Sequence, residues 1–127
     1  MQNKSDSFVA VAPPIVSASK VIGEGVINRQ KENLGKVHEI AINTDRGTLA
    51  YVVLSFGGFM GLGNKLFAIP WQAFEFSPTE FKLVLNVDKD KLKNAPGFDK
   101  EDWPDFADRT WGESIHKYYG YQTDWNR

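Results

Sequence analysis

The 127-residue chain contains no cysteine. This absence excludes disulfide bridges, thiolate metal ligands and a cysteine nucleophile. It fits a reducing compartment, and we expect the protein to be cytoplasmic. The chain also lacks any apolar run that approaches the roughly 18 residues needed to cross a bilayer, so we predict no membrane span.

The N-terminal segment has the beginning of a signal-peptide pattern, in which Lys4 precedes the apolar run FVAVA. That run has only five residues before Pro13 and Pro14, whereas a signal peptide needs roughly 7–15 apolar residues. We therefore interpret residues 1–19 as a mobile or extended arm.

Net charge is also small, at −1 for the whole chain, which argues against broad attraction to nucleic acids or membrane surfaces. The charge is uneven, because residues 1–98 carry a net +2 and residues 99–127 a net −3. The second stretch holds seven of the 17 aromatic residues. Its aromatic residues interleave with acids rather than with bases, which argues against nucleic-acid binding.

Short runs of β-branched and aromatic residues dominate residues 20–87. Residues 48–56 are apolar on both faces, which predicts a central, doubly buried strand. The loop at 44–47 joins that strand to residues 36–43 and predicts a β-hairpin. Further strands are predicted at 24–28, 65–71, 73–77 and 81–87.

Six short strands with turns between them predict a small antiparallel barrel or a sandwich. We favour the barrel, because a sheet this short protects its edges best by closing. Gly35 ends a polar stretch and is interpreted as a turn signal. Residues 88–98 can hold one helical turn, which Pro96 and Gly97 end.

The tail, residues 99–127, predicts a short helix. Asp99 is the expected N-cap, with Asp102 three residues further on, and Gly120 can end the helix. Four apolar side chains recur at helical spacing and must pack either against the barrel or against another chain. They are Trp111, Ile115, Tyr118 and Tyr119.

Four glycines lie within residues 57–63, which raises the question of a phosphate-binding loop. Such a loop needs lysine where this chain has Asn64 and a hydroxyl where it has Leu66, and it opens a helix. Here the glycines precede a predicted strand, and the dinucleotide spacing fails as well. We therefore interpret the segment as a connection between strands and predict no cofactor-binding residue.

Catalytic and metal-binding patterns are equally incomplete. His38 and His116 lie far apart in sequence, and Asp88 and Asp90 begin a calcium-loop spacing that lacks the required glycine. Ser114 and His116 are two residues apart and would not face each other on a helix. We expect His116 to be partly exposed and His38 to lie on the outer face of a strand, and we predict neither catalytic nor metal-ligating residues.

Apolar side chains also lie inside the glycine segment, at Phe59, Met60 and Leu62. One interpretation is that they fold back and plug one end of the barrel. The other is that they form a contact patch, since exposed apolar patches mark interfaces.

In order and spacing, several short motifs resemble a PRC-barrel domain over about residues 20–98. The motifs are Gly35-Lys36-Val37, the turn 45–47 before Tyr51-Val52-Val53, the glycine connection 57–65, Ile69-Pro70-Trp71 and the sequence APGF at 95–98. The tail is similar to that of free-standing bacterial members. The resemblance implies a barrel of about six strands without a shared active site.

Members of that family act as docking modules. One lies in the photosynthetic reaction centre H subunit, and another ends a ribosome-maturation factor and contacts a ribosomal protein. This sequence shows neither the membrane helix of the first nor the additional domain of the second. We therefore transfer neither specific role, because a fold does not fix a function.

These observations predict an arm (1–19), a barrel domain (20–98) and a helical extension (99–127). We expect a non-enzymatic interaction module that forms a homodimer or binds an unidentified protein. The alternatives are a carrier or sensor for an apolar ligand, bound at the barrel mouth or tail cleft, and a hydrolase that uses tail carboxylates with His116. The expected contact residues are Phe59, Met60, Leu62, Trp111, Ile115, Tyr118 and Tyr119.

Overall fold

A computed structural model describes residues 15–57, 65–77 and 82–123. The predicted contact residues Phe59, Met60 and Leu62 lie outside the described residues, as does most of the predicted N-terminal arm.

The described residues form six strands, which belong to one sheet, and three helices. The elements are α1 (Ala18–Val21), β1 (Gly25–Ile27), β2 (Asn33–Asn43), β3 (Thr48–Phe56), β4 (Lys65–Pro70), a 3-10 turn (Trp71–Ala73), β5 (Phe74–Ser77), β6 (Lys82–Leu85), α2 (Lys89–Lys93) and α3 (Arg109–Tyr119). All six predicted strands are present, with ends within three residues of the prediction. The mostly β fold with a helical tail is therefore confirmed.

The strand order across the sheet is β4-β3-β2-β1-β6-β5. Neighbouring strands are antiparallel except β1 and β6, which pair in parallel, so the prediction of an all-antiparallel arrangement is wrong at that pair. Among the described residues β4 and β5 form no ladder with each other, so the barrel-like sheet is not closed by strand pairing.

The edge of β4 is protected by a different device. Phe98 and Leu66 exchange two backbone hydrogen bonds, of 2.8 and 3.0 Å. Gly97 permits this approach, because a Cβ there would lie 2.9 Å from the Leu66 carbonyl oxygen. The sequence APGF therefore pairs with the sheet edge at Leu66, where it satisfies the backbone N–H and C=O that an edge strand would otherwise expose.

Strands β2 and β3 form the predicted hairpin. The Asn43 side chain accepts hydrogen bonds from the backbone N–H groups of Asp45 and Arg46, at 3.1 and 3.2 Å. Gly47 has a φ of 67°, a conformation that glycine adopts without steric cost. The ladder contains irregularities between Val37 and Glu39 and between Ala41 and Ile42, and such bulges bend and twist the hairpin.

Gly35 lies inside β2 and does not mark a turn, which corrects the prediction made from the sequence. Its φ is 123°, and a Cβ at this position would overlap the Ser55 carbonyl oxygen on β3. The glycine is therefore required by close backbone approach between two paired strands.

The inner face of the sheet holds an aliphatic core. Val52, Leu54, Phe67 and Ile69 are fully buried and belong to one cluster. Their neighbours Tyr51 and Val53 point to the opposite face and are buried as well, because successive strand residues alternate between faces. The prediction that β3 is buried on both faces is therefore confirmed.

Asp108 forms the N-cap of helix α3. Its side chain accepts hydrogen bonds from the backbone N–H groups of Thr110 and Trp111, at 2.9 and 3.3 Å. The predicted cap at Asp99 is therefore wrong, and the intervening Pro104 accounts for it, because proline disfavours helical backbone at the preceding residue. Gly120 ends the helix as predicted, with a φ of 86°.

Candidate functional site

The tail covers the outer face of the sheet with aromatic rings. Trp103 lies 5.1 Å from Phe98, 5.9 Å from His38 and 6.0 Å from Phe106, measured between ring centroids. His38 is exposed on the outer face of β2, as predicted. The segment that precedes α3 is therefore held to the sheet by ring contacts.

Tyr51 on β3 is where this cover meets the sheet. Its ring lies 5.8 Å from Phe106, 5.2 Å from Trp111 and 5.5 Å from His116. Aromatic pairs at these separations stabilise beyond the area they bury. The outer layer therefore depends on a few large rings from distant parts of the chain.

The predicted contact face of α3 packs within its own chain. Ile115 is 1% exposed and Tyr119 is 9% exposed, while Trp111 and Tyr118 are half-buried. The sequence allowed this face to pack either against the barrel or against another chain, and in the structure it packs against the barrel. Only Trp111 and Tyr118 keep enough exposed surface to serve the predicted contact with another chain.

The last turn of α3 packs against α2. The Tyr118 hydroxyl donates a 2.6 Å hydrogen bond to the Lys91 carbonyl, and the Lys91 ammonium lies 4.9 Å from the centre of the Tyr118 ring. The neighbouring Tyr119 hydroxyl is buried and has no hydrogen-bond partner in the described structure. Burial, with a smaller contribution from Tyr118, raises the pKa of Tyr119 far above its ordinary value, so this phenol stays neutral.

His116 is 6% exposed, which corrects the expectation of a partly exposed residue. Its Nδ1 lies 2.8 Å from the Gly112 carbonyl, so Nδ1–H is the donor in that bond. The buried positions of α3 are Gly112, Ile115, His116 and Tyr119. This stripe has the helical spacing i, i+3, i+4, i+7. Gly112 was the sequence signal that could have revealed which face of α3 is buried.

The tail carboxylates proposed as partners of His116 all lie on exposed residues. Two of them bond to backbone in their own segment: Asp105 accepts from Ala107 N–H at 2.9 Å, and Asp108 caps α3. Over residues 15–57, 65–77 and 82–123, no three His, Asp or Glu side chains are grouped to hold a metal ion. The hydrolase alternative therefore gains no support from the described geometry.

A cleft of about 180 Å³ opens beside His116, between the start of β3, the 3-10 turn and α3. We call it the Trp71 cleft, and its walls include Leu49, Ala50, Tyr51, Trp71, Gln72 and His116. The Trp71 ring stacks on Phe74 at 6.4 Å with an interplanar angle of 27° and stays 36% exposed. The sequence did not predict this cleft, because its walls come from three separate segments.

Exposed apolar side chains lie next to this cleft. Ile42 is 62% exposed and pairs across the ladder with Leu49, which lines the cleft together with Trp71. We call Ile42, Leu49 and Trp71 the hairpin-end stripe. The irregularity after Ala41 changes the strand register at Ile42, as bulges do when they re-aim side chains.

Comparison with protein families relates the whole body of the fold to a known domain. A family model described as the PRC-barrel domain matches residues 13–93, which include all six strands and α2. Comparison with curated proteins returns no match. None of the described helices has the length and apolar character that a bilayer crossing requires. On the extent of the family match and the six-stranded sheet, the chain belongs to the PRC-barrel family.

Proposed function

We propose that this PRC-barrel chain is a non-enzymatic docking module that associates with a second copy of itself. Family members that dock other proteins support this proposal by analogy. Twofold assemblies are the commonest oligomers, so a homodimer is the default form.

The hairpin-end stripe is the observation that carries the proposal. Ile42 exposes 62% of its surface near the end of β2, where it pairs with Leu49, and the Trp71 ring that lines the cleft with Leu49 is 36% exposed. Burying a side chain of this size is worth roughly 1.5–3 kcal/mol. An apolar stripe at one end of the sheet therefore offers free energy that a second chain can use.

The stripe also revises where contacts are expected. The predicted face of α3 packs mostly within its own chain, so only Trp111 and Tyr118 of that face are proposed as contacts with a second chain. Phe59, Met60 and Leu62 stay in the proposal as contact residues.

Sedimentation equilibrium over a micromolar concentration range tests the proposal. We expect a reversible dimer whose dissociation constant rises by about tenfold or more in Ile42→Ser, which corresponds to about 1.4 kcal/mol. Ile22→Ser is the matched control, because Ile22 is also exposed, at 40%, but belongs to the segment after α1. A wild-type monomer at every concentration, or equal weakening by both variants, would contradict the proposal.

A second candidate function, as a carrier or sensor of a small molecule, is supported by the Trp71 cleft.

A further inference from the structure

The Trp71 cleft has one apolar wall that its neighbours hold in place. Phe74 stacks on the Trp71 indole at 6.4 Å and supports the ring from one side. Leu49 is half-buried and adds a further apolar side chain to the lining. A planar apolar group entering the cleft would therefore meet an existing surface, and ring-on-ring packing favours an aromatic group there.

The lining also includes polar groups, one of which is held in place by its own contacts. The His116 ring is fixed by the bond from Nδ1–H to the Gly112 carbonyl and by its edge contact with Tyr51 at 5.5 Å. Gln72 and Thr48 add an amide and a hydroxyl to the lining. Ligand sites combine apolar walls with a few polar groups in this way.

The lining also restricts the charge of a ligand. None of the described residues that form the cleft is a lysine, arginine, aspartate or glutamate. A charged ligand entering it would lose hydration and find no permanent opposite charge. The site therefore suits an uncharged compound.

The volume sets the size of the ligand. A buried apolar cavity of roughly 150 Å³, engineered in another protein, holds one benzene molecule. At about 180 Å³, the Trp71 cleft has room for one six-membered ring and a small substituent. Drug-sized ligands need roughly 300 Å³ or more and are too large for it.

We propose that the Trp71 cleft binds a small, uncharged aromatic compound that carries one hydrogen-bonding group. The ring packs against Trp71, and the polar group faces His116 and Gln72. Phenol and benzamide represent this class. The inference goes beyond docking, since it gives the protein a small-molecule site and does not require self-association.

Phenol is the first probe, and two-dimensional ¹H–¹⁵N NMR of the full chain monitors its binding. We expect saturable shifts at the amides that line the cleft, with a dissociation constant on the order of 1 mM for a ligand of this size. Shifts that spread evenly over the surface, or that do not saturate, would overturn the proposal.

Two tryptophans give a matched comparison. Trp71→Ala removes the apolar wall, and we expect phenol binding to weaken at least tenfold. Trp103→Ala removes a ring with nearly the same exposure, 37% against 36%, that packs on Phe98 away from the cleft. We expect Trp103→Ala to bind phenol within twofold of wild type, and equal losses in the two variants would refute the site.

Two further measurements keep the test independent of folding defects in Trp71→Ala. Leu49→Trp should fill the cleft from its rim and abolish phenol shifts while the remaining spectrum stays folded. Benzamide should bind at least tenfold more tightly than benzoate, because only benzoate carries a charge. Unchanged phenol binding in Leu49→Trp, or equal binding of the two probes, would contradict the assignment.

Discussion

The two faces of the sheet are stabilised by different kinds of contact. The inner face holds fully buried aliphatic side chains and Phe67, which paired strands supply. The outer face is covered by rings from the tail and includes a buried imidazole and a phenol, Tyr119, that has no hydrogen-bond partner among the described residues. The inner face specifies the fold through a repeating pattern, whereas the outer face brings together side chains that no local pattern connects.

The largest effect is expected on the inner face. Phe67→Ala should lower the free energy of unfolding by about 3–5 kcal/mol, because Phe67 is fully buried and its loss leaves a cavity. Urea unfolding followed by far-UV circular dichroism measures the change. Trp103→Ala, which removes a ring from the exposed side of the outer face, should lower the free energy of unfolding by less than half as much. A larger loss in Trp103→Ala than in Phe67→Ala would contradict the difference between the two faces.

The junction between the two layers is expected to tolerate little change. Gly97→Ala should destabilise the protein by about 1–3 kcal/mol through overpacking, since the new Cβ would lie 2.9 Å from Leu66 O and from Phe67 Cε1. Gly25→Ala is the control, because its nearest neighbour is the flexible Lys82 ammonium at 3.7 Å. Chemical denaturation of both variants should show Gly25→Ala within about 0.5 kcal/mol of wild type, and similar losses would refute the close-approach explanation.

The start of the tail helix gives a smaller effect. Asp108→Ala should cost about 1 kcal/mol, because it removes the side chain that accepts from two N–H groups of the first turn. Asp99→Ala should change thermal stability little, since Asp99 does not cap α3. A larger loss of stability in Asp99→Ala than in Asp108→Ala would support Asp99 as the N-cap, as the sequence suggested.

Two adjacent tyrosines give the finest comparison in the outer layer. Tyr118→Phe should cost about 1 kcal/mol at pH 7, because it removes the hydrogen bond to the Lys91 carbonyl. Tyr119→Phe should be neutral or stabilising, because it removes a buried hydroxyl without a partner in the described structure. Urea unfolding of the two variants should separate them, and an equal loss in both would contradict the assigned hydrogen bonding.

The raised pKa of Tyr119 adds a pH dependence to that pair. An unfolded tyrosine loses its proton near pH 10, whereas the buried Tyr119 keeps it in the folded state. Its contribution to stability is therefore complete below about pH 10 and falls as the pH rises above that value. Between pH 9 and pH 11, the free energy of unfolding measured with urea should fall less steeply with pH in Tyr119→Phe than in wild type. An equal pH dependence in the two proteins would count against the burial of this phenol.

The sequence predicted the sheet well because strand periodicity is local. The runs at 48–56 and 65–71 carry their own alternation and turn signals, so the strands could be placed without knowledge of their partners. Gly35 was misinterpreted because its requirement comes from Ser55 on another strand. A glycine needed for close approach and a glycine in a turn look identical in one sequence.

The tail was predicted less well for a similar reason. Asp99 and Asp108 both suit an N-cap, and Pro104 was the signal that could have separated them. The burial of His116 depends on which stripe of α3 meets β4, and these two elements contact each other across a long stretch of sequence. The Trp71 cleft is still less accessible to sequence analysis, because it exists only after three segments have packed together.

The proposed docking surface can be tested most directly by hydrogen exchange at two protein concentrations. If chains associate through the hairpin-end stripe, exchange of the amides over 41–50 should slow as the concentration rises through the micromolar range, and it should slow more than exchange in α3, which contributes only two contact residues. Protection that rises only in α3, or exchange rates that do not depend on concentration at all, would contradict the assignment of the docking surface to the hairpin end.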